Sequence, residues 1–318
     1  MLGVGILLAS GVLGGVVWFA ESFFEPTLED IHQAVVAGRE EEAIRAIRRH
    51  PELIHSGDLV QRIVMRAVMD YQHGVLEAML DAGYNPNTLI SGDMRWYDAC
   101  MITLDKRTSG GAHYNWTAFD LFLDHGADPN ISLPGRHFFP LWWAANERRF
   151  DMIIRLVDAG ADLKGDDAYW AMETCATDPR GHDALKAMLE AGADPNQPSR
   201  TNHYLLGPAS GEGYPAAVTL LLEYGADPNK DRNEYGYPVN WALGQFRCLK
   251  PTDTEKREKL AEIIQLLIDA GARPSESRVC YEYAEAIEEA DTERVDLINS
   301  ILRRDDVIFE DTWATDRR

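Results

Sequence analysis

The residues of this chain that could carry chemistry are its nine histidines, its four cysteines and the adjacent aspartates Asp166 and Asp167. The cysteines lie far apart and form no C-x-x-C pair, so a thiolate zinc site or a disulfide framework explains them poorly. Asp166 and Asp167 follow Gly165 and could supply oxygen ligands to a cation, but aspartates that begin a helix are the simpler explanation. The sequence contains no nucleophile elbow, no H-E-x-x-H zinc motif and no phosphate-binding loop. We therefore predict no catalytic residue, no metal site, no cofactor and no enzymatic activity.

The elements that surround these residues form a repeat. A phrase such as AGADPN occurs six times, each time after an amphipathic run whose apolar residues have helical spacing. Glycine at such a point ends a helix in the left-handed conformation, and Asp-Pro-Asn then turns the chain. The six glycines are Gly83, Gly126, Gly160, Gly192, Gly225 and Gly271. Their spacing indicates a helical repeat of about 33 residues, with insertions near Leu104–Asn115 and Gln245–Glu255.

The repeats resemble the ankyrin-repeat family. The phrase GADPN matches the end-of-repeat motif of that family, and the segment Pro140–Ala145 (PLWWAA) is similar to its T-P-L-H-x-A-A helix start. The family's threonine and histidine are replaced in this chain, so we expect each repeat to be less stable than a typical one. Pro208 is expected to interrupt the first helix of one repeat.

The resemblance implies an all-α fold, an ankyrin-repeat-like solenoid of about eight helix pairs with β-turn fingers, preceded by an N-terminal hydrophobic helix. The expected domains are a hydrophobic segment at 1–20, a linker at 21–27, the repeat domain at 28–304 and a polar tail at 305–318. The less regular pairs at both ends of the repeat domain are expected to act as caps. Gly38 should separate the two helices of the first cap, and a break at Asp291-Thr292 should separate those of the last.

Solenoids of this family would leave a concave surface of fingers and first helices, and aromatic residues recur on it. Such rings contribute disproportionately to protein interfaces. Two explanations stay open: the rings fill the space between neighbouring repeats, or they form an exposed row of anchors for a partner. The candidate anchors are Trp96, Phe138, Phe139, Tyr169, Trp170, His203, Tyr204, Tyr235 and Tyr237. The two insertions should project as loops from one side, with lengthened loops of no function as the alternative.

The first twenty residues carry no charged side chain, and as a helix they would be long enough to cross a bilayer. Gly11 and Gly15 form a G-x-x-x-G pair through which two such helices could associate weakly. We expect a single-pass membrane protein that is anchored at its N-terminus, with the repeat domain in the cytoplasm. A cleaved signal peptide is the alternative, and it would make the repeat domain secreted or periplasmic.

The charge balance narrows the choice of partner. The chain has 31 Lys+Arg and 52 Asp+Glu, a net charge of −21, and this argues against nucleic acid because phosphates are bound by clustered cations. An acidic surface favours a basic partner instead. We predict a non-catalytic, membrane-tethered module that binds a protein on its concave face. The alternatives are an inhibitor that neutralises a specific, basic toxin or enzyme, and an enzyme with an unrecognised site.

Overall fold

The computed structural model describes residues 25–55, 57–90, 94–101, 115–131, 140–230, 237–250, 252–274 and 291–302, and positions 279, 282 and 286. It divides into two units, residues 1–127 and 128–318, and each unit is described by itself. The described residues form helices and turns without a β-strand; isolated β-bridges occur between Pro198 and Tyr204 and at Met94. The predicted all-α class is therefore confirmed. The hydrophobic helix predicted over residues 1–20 lies outside the described residues.

The described part of the first unit contains six α-helices. They are α1 Leu28–Val36, α2 Glu40–Arg49, α3 Asp58–Met69, α4 His73–Asp81, α5 Trp96–Met101 and α6 Trp116–Asp124, with a 3₁₀ turn at Pro51–Leu53. Thr27 begins α1 with a capping box. Its Oγ1 accepts from the Asp30 amide at 3.3 Å, and the Asp30 carboxylate accepts from the Thr27 amide at 2.9 Å. Gly38, at φ +71°, separates α1 from α2 as predicted.

Positions 279, 282 and 286 of the second unit are helical, and nine α-helices of this unit are described with their bounds. They are α7 Pro140–Asn146, α8 Phe150–Asp158, α9 Gly165–Ala176, α10 His182–Glu190, α11 Leu206–Glu212, α12 Pro215–Glu223, α13 Pro238–Cys248, α14 Thr254–Asp269 and α15 Thr292–Leu302, with a 3₁₀ turn at Pro179–Gly181. The prediction that Pro208 interrupts a helix is wrong. Pro208 lies in the first turn of α11, where no backbone N–H has an intrahelical partner to lose.

The helices of each unit alternate between two layers. In the first unit α1 packs on α3 and α3 on α5, while α2 packs on α4 and α4 on α6. In the second unit α7, α9, α11 and α13 pack in succession, and so do α8, α10, α12 and α14. We call α1, α3, α5, α7, α9, α11 and α13 the first helices. The two-helix repeat is confirmed for seven successive pairs, and the total of eight stays a prediction.

Each repeated phrase ends a second helix with the same hydrogen bonds. At Gly192 the amide donates to the Leu189 carbonyl at 3.0 Å, and the Ala193 amide donates to the Met188 carbonyl at 3.0 Å. This pairing is the Schellman motif, which needs a left-handed residue. Gly192 supplies it with φ +96°, and a Cβ at this position would have no atom within 4 Å. Backbone conformation, and not space, therefore requires glycine here. The other five phrases have the same pair of bonds.

The asparagine that closes the phrase joins one repeat to the next. Asn196 Nδ2 donates to the Gly225 carbonyl at 2.8 Å, and its Oδ1 accepts from the Asp227 amide at 2.8 Å. We call this two-bond contact the asparagine clamp. Asn130 forms it with Gly160 and Asp162, Asn229 forms it with Gly271 and Arg273, and Asn87 forms its first bond with Gly126. Within each unit the clamps fix the spacing of successive turns.

The series of clamps is interrupted at Lys164, which stands where the neighbouring phrases have asparagine. Here the contact comes from the following repeat. The Gly165 amide donates to Gln197 Oε1 at 3.1 Å, and Gln197 Nε2 donates to the Gly165 carbonyl. Arg200 adds an ion pair with Asp166. This junction is therefore held by long side chains instead of a clamp.

A buried arginine holds α15 against the last complete helix pair. Arg257 of α14 is fully buried, and its Nη2 and Nε lie 2.6 Å from Asp291 and 2.7 Å from Glu293. Its guanidinium carbon lies 4.3 Å from the centroid of the Phe246 ring of α13. Asp291 also accepts from the Arg294 amide at 3.1 Å and so begins α15 at the predicted place.

The predicted membrane location is corrected by the structure. No helix in the part of the chain that the structure describes is both long and apolar enough to span a bilayer. The prediction of a single-pass membrane protein is therefore wrong on this finding, and it is not carried forward. Residues 1–20, with Gly11 and Gly15, on which the anchor and the weak dimerisation rested, lie outside the described residues.

Candidate functional site

An open groove crosses the solvent-facing side of three first helices in the second unit. Its cavity volume is about 330 Å³. The side chains that define it come from α7 and the turn after it, from α9 and from α11: Asn146, Arg148, Trp170, Glu173, Pro208 and Glu212. We call it the first-helix groove. Apart from Arg148, which lies in a turn, the side chains that define it stand on helices that pack on one another.

The periodicity of α9 places Trp170 in this groove. Along α9 and the residue after it, solvent reaches Gly165 at the start and then positions 166, 167, 170, 173 and 177, while the positions between them are buried. A spacing of three or four residues marks one face of a helix. Trp170 is 42% exposed, whereas large aromatic side chains are strongly buried on average. The sequence of α9 therefore fixes this ring on the side of the helix that faces solvent.

Glu173 lies one turn after Trp170 on the same face. The Tyr169 hydroxyl donates to its carboxylate at 3.4 Å. Burial raises the pKa of Glu173, and the hydrogen bond from Tyr169 and the nearby His203 oppose that rise in pKa. Partial removal from water thus destabilises the charged form of this carboxylate, and a cation placed beside it would stabilise it.

The turn after α7 brings a positive charge to the edge of the groove. Arg148 has φ +52°, and its Nη1 lies 2.7 Å from Asp178 Oδ2. Arg180 binds the same carboxylate, with its Nη2 2.7 Å from Oδ2. The two arginines, Arg180 first, hold the pKa of Asp178 well below its ordinary value. The charge of Arg148 is thus engaged with a buried aspartate, and it braces the α7–α8 turn against the segment before α10.

A second tryptophan lies on the next first helix, α13. Trp241 is half-buried, and it packs so closely on Gly211 of α11 that a Cβ on Gly211 would come within 3.2 Å of the Trp241 ring. A side chain at position 211 would therefore have to displace the Trp241 ring by a few tenths of an ångström. Solvent reaches four tryptophans on the first helices of this unit: Trp142 and Trp143 on α7, Trp170 on α9 and Trp241 on α13.

The described finger of the second unit is a short hairpin before α11. The Ser199 amide donates to the His203 carbonyl at 2.8 Å, and the β-bridge between Pro198 and Tyr204 closes the hairpin. Asn202 supplies the turn with φ +62°, which asparagine tolerates better than most residues. Lys230 Nζ lies 5.5 Å from the centroid of the Tyr204 ring, within the range of a cation–π contact.

Comparison with known proteins identifies the family. No family model matches the chain. An ankyrin repeat domain from Acinetobacter baumannii shares the fold with TM-score 0.50, at 21% identity, over 66% of this chain and 98% of the other. The ankyrin repeat domain of human ASB11 matches 77% of this chain and 99% of its own length, at 16% identity and with TM-score 0.45. In sequence, 115 residues are 31% identical to cyclin-dependent kinase 4 inhibitor B of Bos taurus, an ankyrin-repeat protein, over 36% of this chain and 79% of that protein. The chain belongs to the ankyrin-repeat family.

Three of the predicted aromatic anchors are buried between ankyrin helices. Trp96 has no exposed surface, and its ring centroid lies 4.8 Å from that of Phe119. Tyr169 and Tyr237 are each only 5% exposed. This burial agrees with the explanation that the rings fill the space between neighbouring repeats. These three rings are therefore not exposed anchors for a partner. Phe138, Phe139 and Tyr235 lie outside the described residues.

Three other predicted anchors reach solvent in the second unit. Trp170 is the most exposed of them, while His203 and Tyr204 are half-buried on the finger. His203 lies near enough to Glu173 to lower the pKa of that carboxyl group. The sequence interpretation placed Trp170 at a finger or a helix start, but it lies inside α9, which begins at Gly165.

The sequence interpretation missed the polar residues of the groove. Glu173 and Glu212 line it beside Trp170, and Trp241 extends its aromatic character to the next ankyrin repeat. A usable signal was present for Glu173, because it follows Trp170 by three residues on a helix. No comparable signal pointed to Glu212, whose position in the groove depends on how α11 packs on α9.

The residues considered for metal or thiol chemistry have other contacts. No group of three or more His, Cys, Asp and Glu side chains in the described ranges is arranged to hold a metal ion. Asp166, considered as a cation ligand, lies in the first turn of α9 and is paired with Arg200. Burial raises the pKa of the Cys175 thiol to about 12, whereas Cys248 is exposed.

The second insertion does not form the predicted projecting loop. Its residues chiefly lengthen the second helix of one ankyrin repeat: α14 has 16 residues, against 9 each for α8, α10 and α12, whereas α13, with 11, is no longer than α9, with 12. The connection between α13 and α14 is short, at residues 249–253. The first insertion lies outside the described residues for most of its length, at 102–114.

Proposed function

We propose that this chain is a non-catalytic ankyrin-repeat module that binds a protein partner through the first-helix groove of its second unit. The observation that carries the proposal is the exposed Trp170 ring in that groove. Tryptophan is enriched among the residues that dominate binding energy at protein interfaces. The neighbouring large side chains of α9, Tyr169 and Met172, are buried. They already provide the packing of the helix, so the exposure of Trp170 has no evident packing role.

The form of the groove supports a polypeptide as the ligand. It is open, it crosses three helices, and its volume of about 330 Å³ is at the lower end of the range for small-molecule pockets. Open faces of this kind are how helical repeat proteins present extended binding surfaces. Half-buried Trp241 on the neighbouring helix would prolong an apolar contact along the same face.

A second candidate function is inhibition of an enzyme. The observation that favours it is the similarity to a protein that is named as an inhibitor of cyclin-dependent kinase 4, at 31% identity over 115 residues. An ankyrin module can inhibit by covering an active site or by holding an enzyme in an inactive form, and neither requires chemistry from the module. The two candidates differ only in what happens to the partner after binding.

The test is site-specific photo-crosslinking in the native host. The crosslinking amino acid benzoylphenylalanine replaces Asn146 at the rim of the groove in one variant. In the control variant it replaces the exposed Glu223 at the end of α12, a second helix. Crosslinked products are identified by mass spectrometry, and each experiment is repeated with Trp170→Ala. We expect a discrete protein adduct from position 146 that is absent from position 223 and is lost with Trp170→Ala.

The outcomes separate the candidates. No adduct from position 146 above the level of position 223 would overturn the proposed binding role of the groove. If the adduct identifies an enzyme, its activity is measured with and without an equimolar amount of this chain. A large loss of activity favours the inhibitor, and unchanged activity favours a simple binding module.

A further inference from the structure

The first-helix groove has an excess of negative charge that the protein itself does not balance within it. Of the charged residues that line it, Glu173 and Glu212 are acidic and Arg148 is basic. Arg148 Nη1 lies 2.7 Å from Asp178, which is only 6% exposed and is shared with Arg180, so Arg148 is held at the edge of the groove and the charged lining sums to −1. The groove thus combines an exposed indole ring with two carboxylates.

Glu173 is the carboxylate that gains most from a cation. It is withdrawn from water by burial, which raises its pKa, and the hydrogen bond that it accepts from Tyr169 is long, at 3.4 Å. A charge that has lost part of its hydration binds an opposite charge more strongly than a fully exposed one does. A cation from outside the chain would therefore stabilise the ionised form of Glu173.

Trp170 selects among the cations that could be bound. It precedes Glu173 by three residues on α9, so that the ring and the carboxylate are neighbours on one helix face. A guanidinium is planar, stacks on an aromatic face and can still donate N–H bonds from its edge to carboxylates. An ammonium group is a compact, strongly hydrated charge and cannot use the ring and two carboxylates in the same way.

We propose that the first-helix groove binds an arginine side chain of a basic partner protein, with the guanidinium against the Trp170 ring and its N–H groups directed to Glu173 and Glu212. This inference rests on the proposed function, since it names the chemistry by which the groove would recognise its partner. The net charge of −21 would bring a basic partner to the surface faster, but the ring and the two carboxylates supply the selectivity.

The test uses peptide probes on the full chain. Binding of fluorescein-labelled hexa-arginine amide is measured by anisotropy at 150 mM salt, where interactions between exposed charges more than about 8 Å apart are largely screened. Hexa-lysine amide has the same charge, and hexa-citrulline amide has the same shape without charge. We expect hexa-arginine to bind at least about fivefold more tightly than hexa-lysine, and hexa-citrulline to bind weakest.

Variants separate the groove from the charge of the whole chain. Glu173→Gln and Trp170→Leu should each weaken hexa-arginine binding by about five- to tenfold. Glu223→Gln removes the same charge from an exposed position on α12 and should change binding less than twofold. Thermal unfolding followed by circular dichroism verifies that each variant is folded. If the Trp170→Leu variant is unfolded, the inference is tested by Glu173→Gln alone, because that substitution removes a charge and hardly changes the side-chain volume.

Two results would overturn the inference. The first is an equal loss for Glu173→Gln and Glu223→Gln, which would mean that the probe reads only net charge. The second is hexa-lysine binding as tight as hexa-arginine binding. Failure of the arginine inference can be told apart from failure of the proposed function. A crosslinked partner whose yield is unaffected by Glu173→Gln would retain the binding role and reject the arginine. Hexa-arginine binding without a crosslinked partner would retain the arginine site and reject the proposed binding role of the groove.

Discussion

Removing one asparagine clamp should weaken the junction between two repeats by a measurable amount. The most informative perturbation is Asn196→Ala, because the Asn196 side chain forms both bonds of the clamp, to Gly225 and to Asp227, at 2.8 Å each. The change removes one donor and one acceptor. It leaves the backbone of the turn intact, since the Asn196 amide still donates to the Asp194 carboxylate at 2.8 Å.

The magnitude follows from the two bonds. A hydrogen bond within a folded protein contributes about 0.5–1.5 kcal/mol net to stability. The Asn196 clamp is exposed, so water can bind the released Gly225 carbonyl and Asp227 amide, and no buried group is left without a partner. We therefore expect the free energy of unfolding to fall by about 1–2 kcal/mol. The double variant Asn130→Ala/Asn196→Ala should lose about twice as much, because Asn130 binds Gly160 and Asp162 whereas Asn196 binds Gly225 and Asp227.

The assay is urea unfolding at 25 °C, followed by far-ultraviolet circular dichroism, with the loss calculated from the shift in midpoint. Lys164→Ala is the matched control: it occupies the same place in the phrase but forms no clamp in the described structure, so its midpoint should match that of the parent. An Asn196→Ala midpoint indistinguishable from that of Lys164→Ala would refute the reasoning. It would mean that helix packing alone sets the strength of the junction.

Four further outcomes are expected. Arg257→Met should lower the free energy of unfolding by about 2–4 kcal/mol, because it leaves two carboxylates without the buried cation that they share. Asp178→Asn should cost about 1–2 kcal/mol between pH 5 and 7, a modest figure because both partner arginines are more than half exposed. Since the folded pKa of Asp178 is lowered, the difference from the parent should shrink as the pH falls below about 4. Gly192→Ala should cost about 1–2 kcal/mol by forcing an alanine to φ +96°. Iodoacetamide at pH 8 should alkylate Cys248 and spare Cys175, as peptide mass spectrometry would show, because burial raises the pKa of Cys175 to about 12.

Each of these outcomes has a control. Lys259→Met removes an exposed cation from the same helix as Arg257 and should leave stability unchanged. A loss as large as that of the buried arginine would contradict the role given to burial. Asp183→Asn, on the exposed side of α10, should show no loss and no pH dependence beyond that of the parent. Gly192→Asn should lose less than the alanine variant, because asparagine tolerates the left-handed region. Alkylation of Cys175 in the native protein at the rate seen in urea would disprove its protection.

The helix pairs were predictable because the signal for them is local. The end of a second helix needs a left-handed residue, and the phrase around Gly192 supplies a glycine followed by turn residues within one short segment. The separation of α1 from α2 at Gly38 and the start of α15 after Asp291 followed from the same rules. Packing of neighbouring repeats could not change these outcomes, because the Schellman bonds form within each chain segment.

The groove was only partly predictable, because its walls come from three repeats. The sequence indicated Trp170 as a candidate through its residue type, but it could not show that Trp96 is buried while Trp170 is exposed. That difference depends on which face of each helix contacts its neighbour. Glu212 enters the groove only because α11 packs on α9. The second insertion was predicted to form a projecting loop, but the extra residues near Gln245 lengthen helical structure instead, chiefly α14.

The replacement of a clamp by Gln197 has a mechanical consequence for the second unit. A clamp is a short, rigid amide tie, whereas the Gln197 and Arg200 contacts depend on long side chains with several rotatable bonds. Under a pulling force applied to its two ends, the unit should yield first at this seam between α9 and α11. The extension trace of a single molecule would then show two separate rips in place of one cooperative event.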